Sequence, residues 1–136
     1  MKFNIKCYSA TKLVFNELAE QIILPGDDGE FAISVNHMKF FSIISSGLLR
    51  IKREKSDSLG LFLISDGFVT VENNNIQIFV NFAEPITYVN LAQVEANLKN
   101  LKEQFKNCEA IFEKEKISNE IFKLIIKIKA ARFLKQ

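Results

Sequence analysis

The stretch PGDDGEFAISVNH, residues 25–37, brings Asp27, Asp28, Glu30 and the chain's single histidine, His37, into thirteen residues. Carboxylates beside an imidazole could do acid–base chemistry, with an acid donating or taking a proton and His37 shuttling it. A nucleophilic triad would also need a nucleophile and an orienting group, and no nucleophile-elbow motif accompanies His37. DDGE with one histidine is a poor metal-ligand set, and it lacks the ligand spacing of a calcium loop. No G-x-x-x-x-G-K phosphate loop occurs anywhere in the chain. A turn explains the residues better: Pro25 presets φ, Gly26 and Gly29 tolerate positive φ, and Asp27 and Asp28 can bond local amides. On this reading no catalytic, metal or cofactor-binding residue is expected.

The bulk properties narrow the class. At 136 residues the chain holds one domain, or one domain with a small appendage. A hydrophobic fraction of 48% is enough for a core and argues against disorder. The net charge of +2 and the scarcity of arginine (Arg50, Arg53 and Arg132) leave no basic face for nucleic acid. Cys7 and Cys108 are far apart in sequence and outside any C-x-x-C pair, which favours thiols over a disulfide. The first residues alternate polar and apolar, unlike a signal peptide, and no run of eighteen apolar residues could span a bilayer. These features fit a soluble protein in a reducing compartment.

The elements that must position the loop change rhythm near Pro85. Before it, short apolar runs and alternation mark strands at 4–7, 20–24, 31–35, 47–52, 59–64, 68–71 and 76–82. Turn chemistry separates them at PGDDG, REKSDS, SDG and ENNN. Many short strands with close turns read as a β-sandwich or barrel. After Pro85 there is no further glycine or proline, and the period becomes helical. Leu91, Val94, Leu98, Leu101, Phe105, Cys108 and Phe112 form one apolar stripe; Ile117, Ile121, Leu124, Ile128 and Ala131 form another. The charged EKEKISN stretch, 113–119, interrupts the pattern and predicts two helices folded back as a hairpin. Phe122, Ile126 and Phe133 add a second stripe to the later helix, able to dock on the sandwich or on a partner. Lys116, Glu120, Lys123 and Lys127 make its polar face. The expected fold is β plus α: a β-sandwich over residues 1–84, then an antiparallel two-helix hairpin over 85–136.

The order of acid, apolar strand and histidine resembles the epsilon-subunit family of bacterial F-type ATP synthases, called delta in mitochondria. The family pattern is roughly G-x-x-G-E-h-G-h-h-P-G-H, with h apolar. It stands here as Gly26-Asp27-Asp28-Gly29-Glu30-Phe31-Ala32-Ile33-Ser34-Val35-Asn36-His37. SGLLRI, 46–51, is similar to the family's P-G-h-h-R-I, and ISDGFVTVENNNIQIFVNFAE, 64–84, to its h-S-G-G-F-h-E-V and last strand. Ala32, Val35, Asn36, Ser46 and Asp66 depart from the pattern, which puts the shape of the turn before His37 in question.

The resemblance implies a non-catalytic rotor subunit, peripheral on the cytoplasmic face of the bacterial inner membrane and membrane-associated only through its complex. The sandwich would bind the gamma subunit and the polar loops of the c-ring, with Glu30 and His37 as the residues facing the c-ring. The hairpin would fold on the sandwich or extend toward the catalytic alpha and beta subunits, where Lys123 and Lys127 could inhibit ATP hydrolysis. Some relatives bind ATP through an I/L-D-x-x-R-A motif. This chain has Val89-Asn90-Leu91-Ala92-Gln93-Val94 there, with Gln93 in place of the phosphate-gripping arginine, so tight ATP binding is not expected. Two readings from other classes stand beside it. One is a free-standing β-sandwich binding module with a helical dimerisation hairpin. The other is a small hydrolase using His37 and an acid.

Overall fold

In β1 (Phe3–Tyr8) every second residue is buried: Phe3, Ile5 and Cys7 point into the protein, and Asn4, Lys6 and Tyr8 point away. A period of two puts one face of a strand against a core and leaves the other for solvent or a partner. The structure, a computed structural model, describes residues 3–34, 39–53 and 59–134. The strands that follow are β2 (Leu13–Ala19), β3 (Gln21–Gly26), β4 (Gly29–Ser34), β5 (Phe40–Ile44) and β6 (Gly47–Lys52). Then come β7 (Leu59–Ile64), β8 (Gly67–Glu72), β9 (Asn75–Val80) and β10 (Ala83–Pro85). Two helices close the chain, α1 (Leu91–Asn107) and α2 (Ile111–Ala131).

The strands form two five-stranded sheets, ordered β2-β1-β9-β8-β5 and β10-β7-β6-β3-β4. Ile5, Cys7, Val69, Val71, Ile76 and Ile78 of the first sheet meet Ile22, Leu24, Ile33, Leu49, Ile51 and Ile64 of the second in a single apolar core. Phe15 of β2 stacks on Phe62 of β7 with ring centroids 4.4 Å apart, tying the layers together. At the same margin Arg53 Nε donates to Glu17 Oε1 at 2.8 Å. Cys7 is fully buried, and desolvation pushes its thiol up to about 12, so it stays protonated and inert at neutral pH. β7 is buried on both faces, with Leu61 and Leu63 on the side opposite Phe62 and Ile64.

Two tight turns show how sequence sets register. Glu72 pairs with Asn75, leaving Asn73 and Asn74 as a two-residue loop with φ of 50° and 61°. Two positive φ values define a type I′ turn, which matches strand twist and which asparagine tolerates. In the PGDDG turn, Gly26 pairs with Gly29 around Asp27 and Asp28. Only Gly29, of the two glycines expected to use it, takes a positive φ, at 114°. Gly26 is required for space instead, since a Cβ there would sit 2.9 Å from the Gly29 carbonyl oxygen.

The chain divides into two units, Met1–Ile86 and Thr87–Gln136. In the second unit α1 and α2 pack on each other across a three-residue link, Cys108 to Ala110. The helix break therefore precedes EKEKISN, which lies wholly inside α2. Cys108 and Phe112, expected at the end of the first stripe, become the C-cap of α1 and an exposed residue of α2. The rest of that stripe lines α1: Val94, Leu98 and Leu101 are half-buried. No described helix is long and apolar enough to cross a membrane.

Candidate docking surface

The expected site residues fall into separate settings. Glu30 lies in β4 opposite Pro25, and its Oε1 accepts from Arg50 Nη2 at 2.9 Å. Arg50 sits in β6 opposite Ile23, so its side chain reaches across β3 to the acid. Asp27 Oδ1 accepts from the Ser45 hydroxyl at 2.7 Å, and Pro25 O accepts from Ser45 N–H at 2.9 Å. The loop thus stands as a braced acidic turn. His37 lies outside the described residues, as does Val35, the expected end of its strand. Among the described residues no group of three or more His, Cys, Asp or Glu could hold a metal ion. In the second unit Lys123 Nζ lies 3.7 Å from Glu120 Oε1, one turn back, and Lys127 follows one turn on.

The surface feature that motif reading did not isolate is on the outer face of the β2-β1-β9-β8-β5 sheet. Register places Leu13 beside Tyr8, Tyr8 beside Phe79, Phe79 beside Phe68 and Phe68 beside Ile43. This row crosses all five strands. Its rings touch: Tyr8 stacks on Phe79 at 5.2 Å, Phe79 on Phe68 at 4.9 Å, and Phe68 meets Phe41 at 5.5 Å. Each such pair contributes about 0.5–1.5 kcal/mol beyond its area burial, so the row is held in a fixed shape. Phe41 and Ile43 remain 59% and 56% exposed. The next row, Asn16, Lys6, Gln77 and Thr70, is polar until it reaches Phe41. One end of the sheet is therefore apolar and rigid, and the remainder is mostly polar, with Leu18 the exception.

Local sequence makes this possible. Gly67 opens β8 where a Cβ would overlap the Phe79 carbonyl oxygen, so only glycine lets β8 and β9 close at the row. The Asn73–Asn74 turn fixes Phe68 opposite Phe79, a pairing that counting outward from ENNN could have found. Tyr8 joins through the parallel β1–β9 pairing, which no local signal announces. Beside the row, Phe41, Ser42 and Ile43 form one wall of an open cleft of about 520 Å³ whose other wall is Gly26 to Phe31. An exposed aromatic strip next to fixed acids is suited to gripping a protein surface. Aromatic anchors dominate binding energy when their neighbours exclude water.

Comparisons with known proteins identify the family. A family described as "ATP synthase, Delta/Epsilon chain, beta-sandwich domain" matches residues 2–86. The ATP synthase epsilon chain of Prochlorococcus marinus (strain AS9601) is 31% identical over 135 residues, 97% of this chain and 99% of that one. The chloroplastic ATP synthase epsilon chain of Pyropia yezoensis is 28% identical over 131 residues, 96% of each chain. Among solved structures, the chain is similar to one in the Euglena gracilis mitochondrial ATP synthase, OSCP/F1/c-ring, in rotational state 1. The TM-score is 0.73 at 19% identity, covering 96% of this chain and 81% of that one. A second likeness is to a chain of the Tetrahymena thermophila mitochondrial ATP synthase central stalk and c-ring. There the TM-score is 0.57 at 18% identity, with 96% of each chain covered. At these identities the two structures speak for the fold.

Proposed function

The chain belongs to the ATP synthase delta/epsilon family, and from that premise we propose that it is a non-catalytic subunit of the central stalk, coupling the c-ring to gamma. The observation that carries this reading is the apolar row across the β2-β1-β9-β8-β5 sheet. A rotor subunit transmits torque through a contact that must not slip, and stacked rings on paired strands give a rigid one. Its five strands span enough width for a standard interface of about 800 Å² per partner. The row is the gamma-facing surface.

Glu30, held by Arg50 beside the exposed Asp28, faces the polar loops of the c-ring; it suits a rim contact made by charge rather than by apolar burial. Lys123 and Lys127 are the contact of α2 with the alpha and beta subunits when the hairpin regulates hydrolysis. On this reading the subunit lies peripherally on the cytoplasmic face of a bacterial inner membrane, held there through its complex. Family membership weighs against a free-standing binding module and against a small hydrolase.

The deciding experiment is co-purification with gamma. Phe68→Asp places a charge in the row and Phe41→Asp places one in ring contact with it, both at exposed positions away from the core. Each is expected to weaken gamma binding at least about thirtyfold, with melting temperature little changed. Wild-type affinity in both folded variants would remove the row from the interface. For the c-ring contact, a cysteine replacing Glu30 should crosslink to the polar loop of subunit c. Crosslinking from Asn74 alone would reverse the orientation.

A further inference from the structure

Sheet edges are hazards, and among the described residues this protein guards three of its four. β2 pairs with β1 through a register shift at Cys7/Tyr8 and carries Glu17, locked to Arg53. β10 is only three residues long and ends in Pro85. β4 begins Gly29-Glu30, with the acid paired to Arg50. Bulges, short length, proline and charge are the usual means of blocking strand addition.

β5 itself has none of them; the nearest charge is Lys39, just before the strand, which is paired with Glu72 at 3.6 Å. Its sequence is Phe-Phe-Ser-Ile-Ile, its register with β8 runs unbroken from Phe40 to Ile44, and among the described residues β8 is its one neighbour in the sheet. Along such an edge, alternate residues turn their N–H and C=O groups outward. Phe41 and Ile43 stand on the same face as the aromatic row and continue it to the edge. The edge opens onto the cleft whose opposite wall carries Asp27, Asp28 and Glu30. A strand laid there would bond the β5 backbone, cover Phe41 and Ile43, and run past fixed negative charge.

We propose that the open edge of β5 takes up an extended segment of the subunit that docks on the row, apolar and bearing a lysine or arginine set against Asp27 and Asp28. This is strand addition, in which backbone bonds give affinity and alternate side chains give selectivity. The acids choose a basic segment and disfavour a second copy of this chain, whose own turn carries the same charge. The inference rests on the row being the gamma-facing surface, and the test separates the two.

Hydrogen exchange of the full-length chain is measured alone and with purified gamma, with gamma affinity read in parallel for wild type, Phe68→Asp and Asp28→Lys. The outward amides of β5, those of Phe41 and Ile43 by the register with β8, are expected to exchange quickly in the free chain and at least about tenfold more slowly in the complex. Asp28→Lys is expected to weaken binding about tenfold and to remove the loss of affinity with salt. Gamma bound tightly while the β5 amides exchange as in the free chain would overturn strand addition and leave face docking intact. Failure of gamma to bind the folded wild-type chain would overturn both. Slowed β5 exchange that grows with this chain's own concentration, without gamma and with a sedimenting dimer, would assign the edge to a second copy and overturn the proposal.

Discussion

Ser65 is the single described polar residue counted among the buried ones, and its hydroxyl explains why. Oγ accepts from Asn81 N–H at 2.9 Å and from Phe82 N–H at 3.0 Å, and Ser65 N–H donates to Phe82 O at 3.1 Å. One side chain thus satisfies the backbone where β9 turns into β10. Ser65→Ala removes the acceptor and strands two amide donors. A loss of about 1–3 kcal/mol is expected from such orphaned groups, read as a lower urea midpoint at unchanged slope. A midpoint within error of wild type would mean water replaces the hydroxyl. At this scale sequence was partly legible. SDG announced a turn, yet nothing in those letters said that the serine would serve the segment sixteen residues later. The resemblance singles out Glu30 as a c-ring-facing residue, but its partner Arg50 lies two strands away and becomes visible only in the sheet order.

Among the elements, those with strong alternation or a clear turn were readable, and the failures have physical causes. β5, FFSII, has four apolar residues in five, so periodicity cannot separate an edge strand from a buried run. β2 includes Asn16 and Glu17, and its pairing is bent by a register shift, which breaks the alternation. β10 is too short to carry a period. The helix break was misplaced because it uses neither glycine nor proline: Cys108 and Ala110 turn extended, and α2 starts without a side-chain cap. Helix α1 has the opposite character. None of its residues is buried, so local terms matter more than packing. Its cap is Asn90, whose side chain accepts from Gln93 N–H at 3.2 Å. The position where relatives' motif has an acid is therefore a helix start here. Asn90→Ala is expected to cost about 1 kcal/mol and to fray the first turn, seen as faster amide exchange over residues 91–94. Asn90→Asp should keep the cap and gain a little from the helix dipole. Equal exchange in all three proteins would make the cap irrelevant.

At the scale of the whole molecule, the proposed division of labour is assembly by the first unit and regulation by the second. The chain should be cut after Ile86 rather than Glu84, because β10 runs to Pro85 and Ile86 N–H donates to Leu61 O at 2.8 Å. Residues 1–86 hold both sheets and the full row, so the shortened chain is expected to fold and to bind gamma. Any inhibition of hydrolysis should go with α2 and depend on Lys123 and Lys127. Lys123 already lies near Glu120, a partly exposed pair that salt screens. Moving to an acidic surface would exchange one solvated partner for another, so each lysine supplies about 0.2–1 kcal/mol. Inhibition resting on such contacts must be weak, additive and salt-sensitive. The measurement is ATPase activity of the assembled soluble complex with the full chain, with Lys123→Ala plus Lys127→Ala, and with the chain ending at Ile86. Truncation is expected to raise activity, the double substitution to recover a several-fold part of that rise, and added salt to shrink the gap. Truncation that activates while the double variant stays inhibited would shift the contact to apolar residues such as Phe122. Unchanged activity after truncation, with gamma still bound, would remove regulation from the hairpin and leave coupling as the chain's whole role.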